Sequence, residues 1–186
     1  QITIVDGIAG ELIPKLLIGD LDVVICIMSA LNNDPRLVQQ SMLKERVSII
    51  VGGNHPLSRH GKVTLDETLK YPWLCWGYPQ PHPSISTMLK QAGLPLPVPR
   101  LITTSIVFGL TLLQEDNYVA GFSENLVQRE LKSGSLVALE IDSEFGQPSD
   151  ITTMLCYRKN LILSQSVSFF IKELERYVSD LDQHLE

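Results

Sequence analysis

From Glu11 to Ile27 the chain reads ELIPKLLIGDLDVVICI. Leu12, Ile13, Leu16 and Leu17 recur at helical spacing, which predicts a helix with one buried face. Gly19 is placed to be the left-handed residue that ends it. Residues 23–27 then form an unbroken apolar run. A half-solvated strand alternates, so such a run predicts a strand covered on both faces. Residues 2–5, ahead of Asp6-Gly7, predict another short strand. Strand, helix and parallel strand then follow in order, with a right-handed crossover.

The polar stretch 29–35 breaks the pattern and is a candidate crossing between lobes. Residues 47–51 predict a strand ended by Gly52-Gly53. Thr64 followed by Glu67 is a capping box, so a short helix starts there. Residues 73–76 predict a strand, 84–92 a helix closed by Gly93, and 100–103 a strand. Thr103-Thr104-Ser105 then signals the start of a helix over 106–114. Residues 118–122 predict a strand, and Ser123 a cap for a helix over 124–131. Strands over 136–141 and 151–157 follow, with 147–149 as a second candidate crossing. Ser164 caps a last helix with Val167, Phe170, Ile171, Leu174, Val178 and Leu181 in one stripe, and Phe169-Phe170 reads as core. Alternating strands and helices predict an α/β protein with mostly parallel sheets.

Composition narrows the function. The 186 residues are 44% hydrophobic, enough to bury a sizeable core, and carry a formal net charge of −6. No block of Lys and Arg is present, so this chain by itself is not expected to bind nucleic acid. No apolar run approaches a membrane span, and no membrane partner is expected. Cys26, Cys75 and Cys156 lie far apart in apolar segments and read as buried free thiols, without metal-site spacing. The four histidines lie in loops or at the tail, and no G-x-S-x-G, Walker or GxGxxG pattern occurs. Neither an enzyme nor a cofactor is expected.

Several motifs in order resemble one family. Asp6-Gly7, Leu16 and Gly19-Asp20-Leu21-Asp22-Val23 resemble the "G…L…G-x-LD" signature of the effector-binding domain of LysR-type transcriptional regulators. Asn54-His55-Pro56-Leu57, Val63-Thr64-Leu65-Asp66 and Tyr71-Pro72-Trp73 fit the same series. The resemblance implies two Rossmann-like lobes joined by two crossing strands, as in type 2 periplasmic binding proteins. It places residues 1–28 with 148–186 in the first lobe and 29–147 in the second. It implies a cytoplasmic homo-dimer or tetramer, a small-molecule effector in a cleft, and DNA bound only through an N-terminal winged helix-turn-helix. The chain begins at what would be the second strand, so the first strand, the first helix and the DNA-binding domain are expected to be missing. Where the family has a Gly-x-Gly turn, this sequence has Asp116-Asn117-Tyr118.

The candidate effector site follows from strand ends and helix starts. Thr103, Thr104 and Ser105 offer hydroxyls and free N–H groups at a helix N-terminus, which suits a small carboxylate. Trp76, Gly77 and Tyr78 end a strand, where open α/β sheets bind ligands. Met28 and Ser29 at one crossing, with Phe122 and Ser123 at another strand end, complete the set. The rival reading is a free-standing solute-binding protein of the same fold; a third is a small lyase or hydratase.

Overall fold

In the computed structural model, which describes residues 1–27, 34–144, 147, 150–159 and 163–183, helix α1 (Ala9–Ile18) buries Leu12 and Leu16. It closes on Gly19 with φ 96°, the left-handed conformation a side chain would strain. The Arg158 guanidinium donates to the Leu16 carbonyl and, at 3.0 Å, to that of Leu21, so the far end of the chain holds the end of α1.

The chain divides into two units, Gln1–Lys44 with Thr152–Glu186, and Glu45–Ile151. It passes between them twice. In the first unit the strands β1 (Val24–Ile27), β2 (Leu37–Glu45) and β8 (Ile151–Arg158) form a sheet of order β1-β8-β2. β1 and β8 are antiparallel, with Val24 opposite Cys156 and Cys26 opposite Met154. Leu12, Leu16, Val24, Leu37 and Cys156 form the core beneath α1. Helix α6 (Gln165–Gln183) starts with Val167 N–H on the Ser164 hydroxyl at 3.3 Å. It reaches β2 through Gln40, whose amide donates to Glu175 at 2.7 Å.

The second unit carries five strands, β3 (Val47–Gly52), β4 (Trp73–Trp76), β5 (Leu101–Thr103), β6 (Val119–Ser123) and β7 (Leu136–Ala138), in the order β5-β4-β6-β3-β7. One face packs Val47, Ile49, Val51 and Trp73 against Leu57, Leu65 and Ile85. The other packs Ile50, Leu74 and Ala120 against Leu113 and Val127. The capping box forms in full: the Thr64 hydroxyl accepts Glu67 N–H and the Glu67 carboxylate accepts Thr64 N–H. A Cβ on Gly52 would stand 2.2 Å from the Leu113 carbonyl oxygen, so only glycine lets β3 end against the following helical layer.

Several expectations change. Residues 2–5 are not a strand; Ile2 and Ile4 have no strand beside them and are exposed, so the predicted opening crossover does not form. Ile25 and Ile27 of β1 are 46% and 43% exposed, because α1 covers one face of that strand and its outer face stays bare. The sheets are not mostly parallel: β3 runs antiparallel to both β6 and β7 and β1 antiparallel to β8, whereas β4 pairs in parallel with β5 and β6. The division at 28/29 assigned residues 34–44 to the second lobe, but β2 belongs to the first unit because it pairs with β8. Ser123 caps no helix; its hydroxyl donates to Glu45, and Glu124 N–H donates to the Arg46 carbonyl at 2.9 Å. Helix α5 therefore starts late, at Gln128–Ser133. Phe169 is 65% exposed and Phe170 is not core either, since Ile171 is the buried member of the stripe among the described side chains of α6.

Candidate functional site

Parallel pairing brings the carboxyl ends of β4, β5 and β6 to one edge of the second unit's sheet. Trp76 stands opposite Thr103, and Gly77 N–H donates to the Thr103 carbonyl at 3.0 Å. Gly77 has φ 65°, so the chain turns away from β4 in a conformation that favours glycine. The Trp76 ring meets Phe122 edge-on, with centroids 5.8 Å apart and planes at 66°. Four of the expected residues, Trp76, Gly77, Thr103 and Phe122, are thus side by side.

Helix α4 (Ile106–Glu115) begins here. The Ser105 hydroxyl accepts Phe108 N–H at 3.4 Å, and the Thr103 hydroxyl accepts Ser105 N–H at 3.0 Å. A hydroxyl that accepts from the backbone still has its own proton to give. Each therefore keeps a proton to donate, next to first-turn N–H groups that have no acceptor inside the helix. Thr104 and Ser105 are exposed. Gly109 carries α4 close over the strand ends; a Cβ there would lie 3.6 Å from Thr103 Cγ2 and 3.7 Å from Trp76 Cζ3.

Ser123 has a different role from the one expected. Its proton goes to the Glu45 carboxylate, so it is an orienting partner of Glu45 rather than a donor to an anion. Tyr78 is 49% exposed beside Gly77. Met28 and Ser29 lie outside the described residues.

His82, which its loop position left as a turn residue in the sequence, stands at a second helix start. It caps helix α3 (Pro83–Gln91): its Nδ1 accepts Ser84 N–H at 3.3 Å and lies 2.9 Å from the Ser84 hydroxyl. β6 passes against it at Gly121, where a Cβ would stand 3.4 Å from His82 Cβ and 2.3 Å from Ile85 Cδ1. Burial pushes the His82 pKa down and the Glu45 carboxylate pulls it back up. A second helix start, with a titratable side chain, thus lies against the β6 end. The signal was His82-Pro83-Ser84, an acceptor side chain before a proline at the first helical position. A shallow depression of about 360 Å³ elsewhere in this unit is lined by Thr64, Asp66, Asp142 and Glu144, among others, and contains none of these residues. Its carboxylates suit an anion poorly. Among the described residues no group of three or more His, Cys, Asp or Glu side chains is placed to hold a metal ion.

The family model described as LysR substrate binding domain matches residues 1–179. The transcriptional regulator PcaQ of Agrobacterium fabrum, of the HTH type, is 28% identical over 147 residues, covering 76% of this chain and 46% of that protein. The chain thus spans about half the length of the curated relatives it matches. Among solved structures, the effector-binding domain of QuiR in complex with shikimate superposes with a TM-score of 0.71 at 19% identity, over 94% of this chain and 79% of that one. The regulatory domain of CcmR from Synechocystis PCC6803, in complex with 2-PG, superposes with a TM-score of 0.72 at 14% identity, over 90% and 78%. The fold is that of the type 2 periplasmic binding proteins, as the sequence resemblance implied.

Proposed function

Because this chain belongs to the LysR substrate-binding-domain family, we propose that it is the sensing part of a transcriptional regulator. Its effector is a small carboxylate received at the β4, β5 and α4 ends of the second unit. The observation that carries this reading is that the Thr103 and Ser105 hydroxyls, the first turn of α4 and the Gly77 turn meet at the ends of β4 and β5. Each charge-assisted hydrogen bond of this kind contributes roughly 1.5–3 kcal/mol. Trp76 supplies an apolar wall, and His82 a second, titratable contact for the effector. The likeness to a domain solved with shikimate, an organic acid, supports a carboxylate. Binding shifts the protein between conformations that differ in affinity for the effector, and the difference is the signal.

In the whole protein this signal acts through a homo-dimer or tetramer in the cytoplasm, and DNA is bound by an N-terminal winged helix-turn-helix. Among the described residues no helix is long and apolar enough to cross a membrane. The family match favours the regulator over a transport solute-binding protein. No catalytic step is assigned to the site.

Calorimetric titration of the chain with a panel of small carboxylic acids, shikimate among them, tests the reading. Thr103→Val with Ser105→Ala should weaken binding of the best acid at least ~tenfold, the loss of about one charge-assisted hydrogen bond, while the fold survives. Equal affinities would reduce the start of α4 to a helix cap and overturn the site.

A further inference from the structure

A carboxylate is fixed farther along the same strand edge. β3 runs antiparallel to β6 with Val47 opposite Ser123, so the start of β3 lies at the carboxyl end of β6. Glu45, two residues before Val47, accepts the Ser123 hydroxyl proton. The Arg46 carbonyl ties the same corner by accepting Glu124 N–H at 2.9 Å. The Glu124 carboxylate in turn accepts the hydroxyl of buried Ser48 at 2.5 Å. Glu45 and Glu124 are both half-buried, so two carboxylates, each held by a serine, stand at this corner.

We propose that the effector carries an ammonium group as well as a carboxylate, and that Glu45, oriented by Ser123, is the subsite for that cation. This rests on the reading that the carboxylate is received at the start of α4. The effector class is then a short amino acid rather than a plain carboxylic acid.

The charge along the edge supports the assignment. Residues 73–82 and 101–109, which supply the β4, β5 and α4 end, contain no Asp, Glu, Lys or Arg. The donors there are hydroxyls and the N–H groups of a helix start, which favour an anion. At the β6 and β3 end carboxylates take their place. Lys44 and Arg46 flank Glu45 in sequence and are exposed, whereas Glu45 is half-buried and turned to Ser123. A carboxylate accepts several donors at once, so the Ser123 bond orients Glu45 and is compatible with a further donor. A second anionic group on the effector would meet like charge at this corner, whereas an ammonium gains a charge-assisted hydrogen bond. Spacing sets the size. β4 lies between β5 and β6, which puts their axes roughly 10 Å apart. A hydrogen bond of about 3 Å at either end leaves about 4 Å between the two charges, the reach of a short amino acid.

The test is calorimetric titration of the 186-residue chain with pairs that differ only in the amine: glycine with acetate, β-alanine with propionate, and γ-aminobutyrate with butyrate. Shikimate and glutarate serve as acids without a cation. At least one amino acid should bind ~tenfold or more tightly than its amine-free partner, the gain of about one charge-assisted hydrogen bond, and glutarate should bind no better than butyrate. Glu45→Gln, which still accepts the Ser123 proton, should bring the two members of that pair to the same affinity. Ser123→Ala keeps the carboxylate but lets it turn, and should reduce the preference by less. Urea midpoints check that both variants fold. Thr103→Val with Ser105→Ala should weaken both members alike, because it acts on the carboxylate they share. Equal affinities within every pair, or a preference that survives Glu45→Gln, would overturn the cation subsite and leave the carboxylate reading in place. So would binding of shikimate but of none of the amino acids. A preference lost in Glu45→Gln, with full affinity kept in the Thr103 and Ser105 variant, would support the cation subsite and overturn the start of α4 as the place of the carboxylate.

Discussion

Strand β3 has hydrogen-bonded neighbours on both sides, β6 and β7, and all six of its residues are buried. Among the described residues strand β1 pairs with β8 alone, and its residues alternate between buried and half-exposed. The two segments are of similar composition, VSIIVG and VICI, and both read as strands, the run that includes β1 as one with two covered faces. What separates them is the surroundings. The second unit places α3 on one side of its sheet and α4 on the other, whereas the first unit's one core cluster lies beneath α1. An apolar run states what a strand would bury if layers were available; it does not say that they are. Among the described residues, the candidate site is built on the unit whose sheet has both faces covered.

The largest expected effect tests that unevenness at the core. Trp73 is 1% exposed, and its Nε1 donates to the Thr68 carbonyl at 3.1 Å. Trp73→Ala should cost about 3–5 kcal/mol, read as a shift of the urea midpoint by the fluorescence of the remaining Trp76. Both tryptophans lie in the second unit, so this signal reports that unit. A loss below about 1 kcal/mol would mean that the site collapses around the gap and that this core is no tighter than the first unit's.

The next effect belongs to the first unit. Arg158 holds the carbonyls of Leu16 and Leu21 at the end of α1, and no other described side chain is recorded bonding to either. Arg158→Met should cost about 1.5–3 kcal/mol at most, because hydrogen bonds from a charged donor are lost and the stem is kept. Alkylation of Cys26 should speed up while the Trp76 transition stays in place. Coincident shifts of both signals would show that the two units unfold as one and would remove the contrast.

How far the sequence revealed this molecule depends on how local each contact is. The Thr64–Glu67 box, the Ser105 cap, the left-handed Gly19 and strand β4 all rest on residues within four positions of one another. The same holds for the positions of the candidate residues Trp76, Gly77, Thr103 and Ser105, which sit where a strand ends or a helix starts. What escaped depends on distant partners. Ser123 is diverted from capping by Glu45, 78 positions earlier, and that diversion moves α5 by four residues. The surroundings of His82 became visible only through Glu45 and Gly121. β2 joins the first unit through β8, more than a hundred residues away, and no local pattern encodes that pairing.

The smallest expected effect reverses the contrast with acid. His55, His60 and His82 all belong to the second unit. His55 is 2% exposed, its ring lies tilted by 58° against Tyr71 with centroids 4.5 Å apart, and its Nδ1 accepts Leu57 N–H at 3.1 Å, which requires the neutral ring. Burial pushes its pKa down, while the Asn117 backbone opposes the shift; His82 has the same balance, with Glu45 opposing. The opposition keeps the effect modest. An unfolded histidine titrates near 6.5. The folded value is lower, so the unfolded chain binds the proton first. The neutral ring's contribution is therefore complete above about pH 6.5 and is lost as pH falls from there toward the folded pKa. The urea midpoint read by tryptophan fluorescence should fall between about pH 7 and 5.5, before most carboxylates titrate. His55→Asn keeps an acceptor two residues before Leu57 N–H and removes the titrating ring. Its midpoint should fall less over the same range, with the remainder belonging to His82. An identical slope in wild type and variant would show that His55 accepts its proton in place, and that mild acid does not single out the better-packed unit.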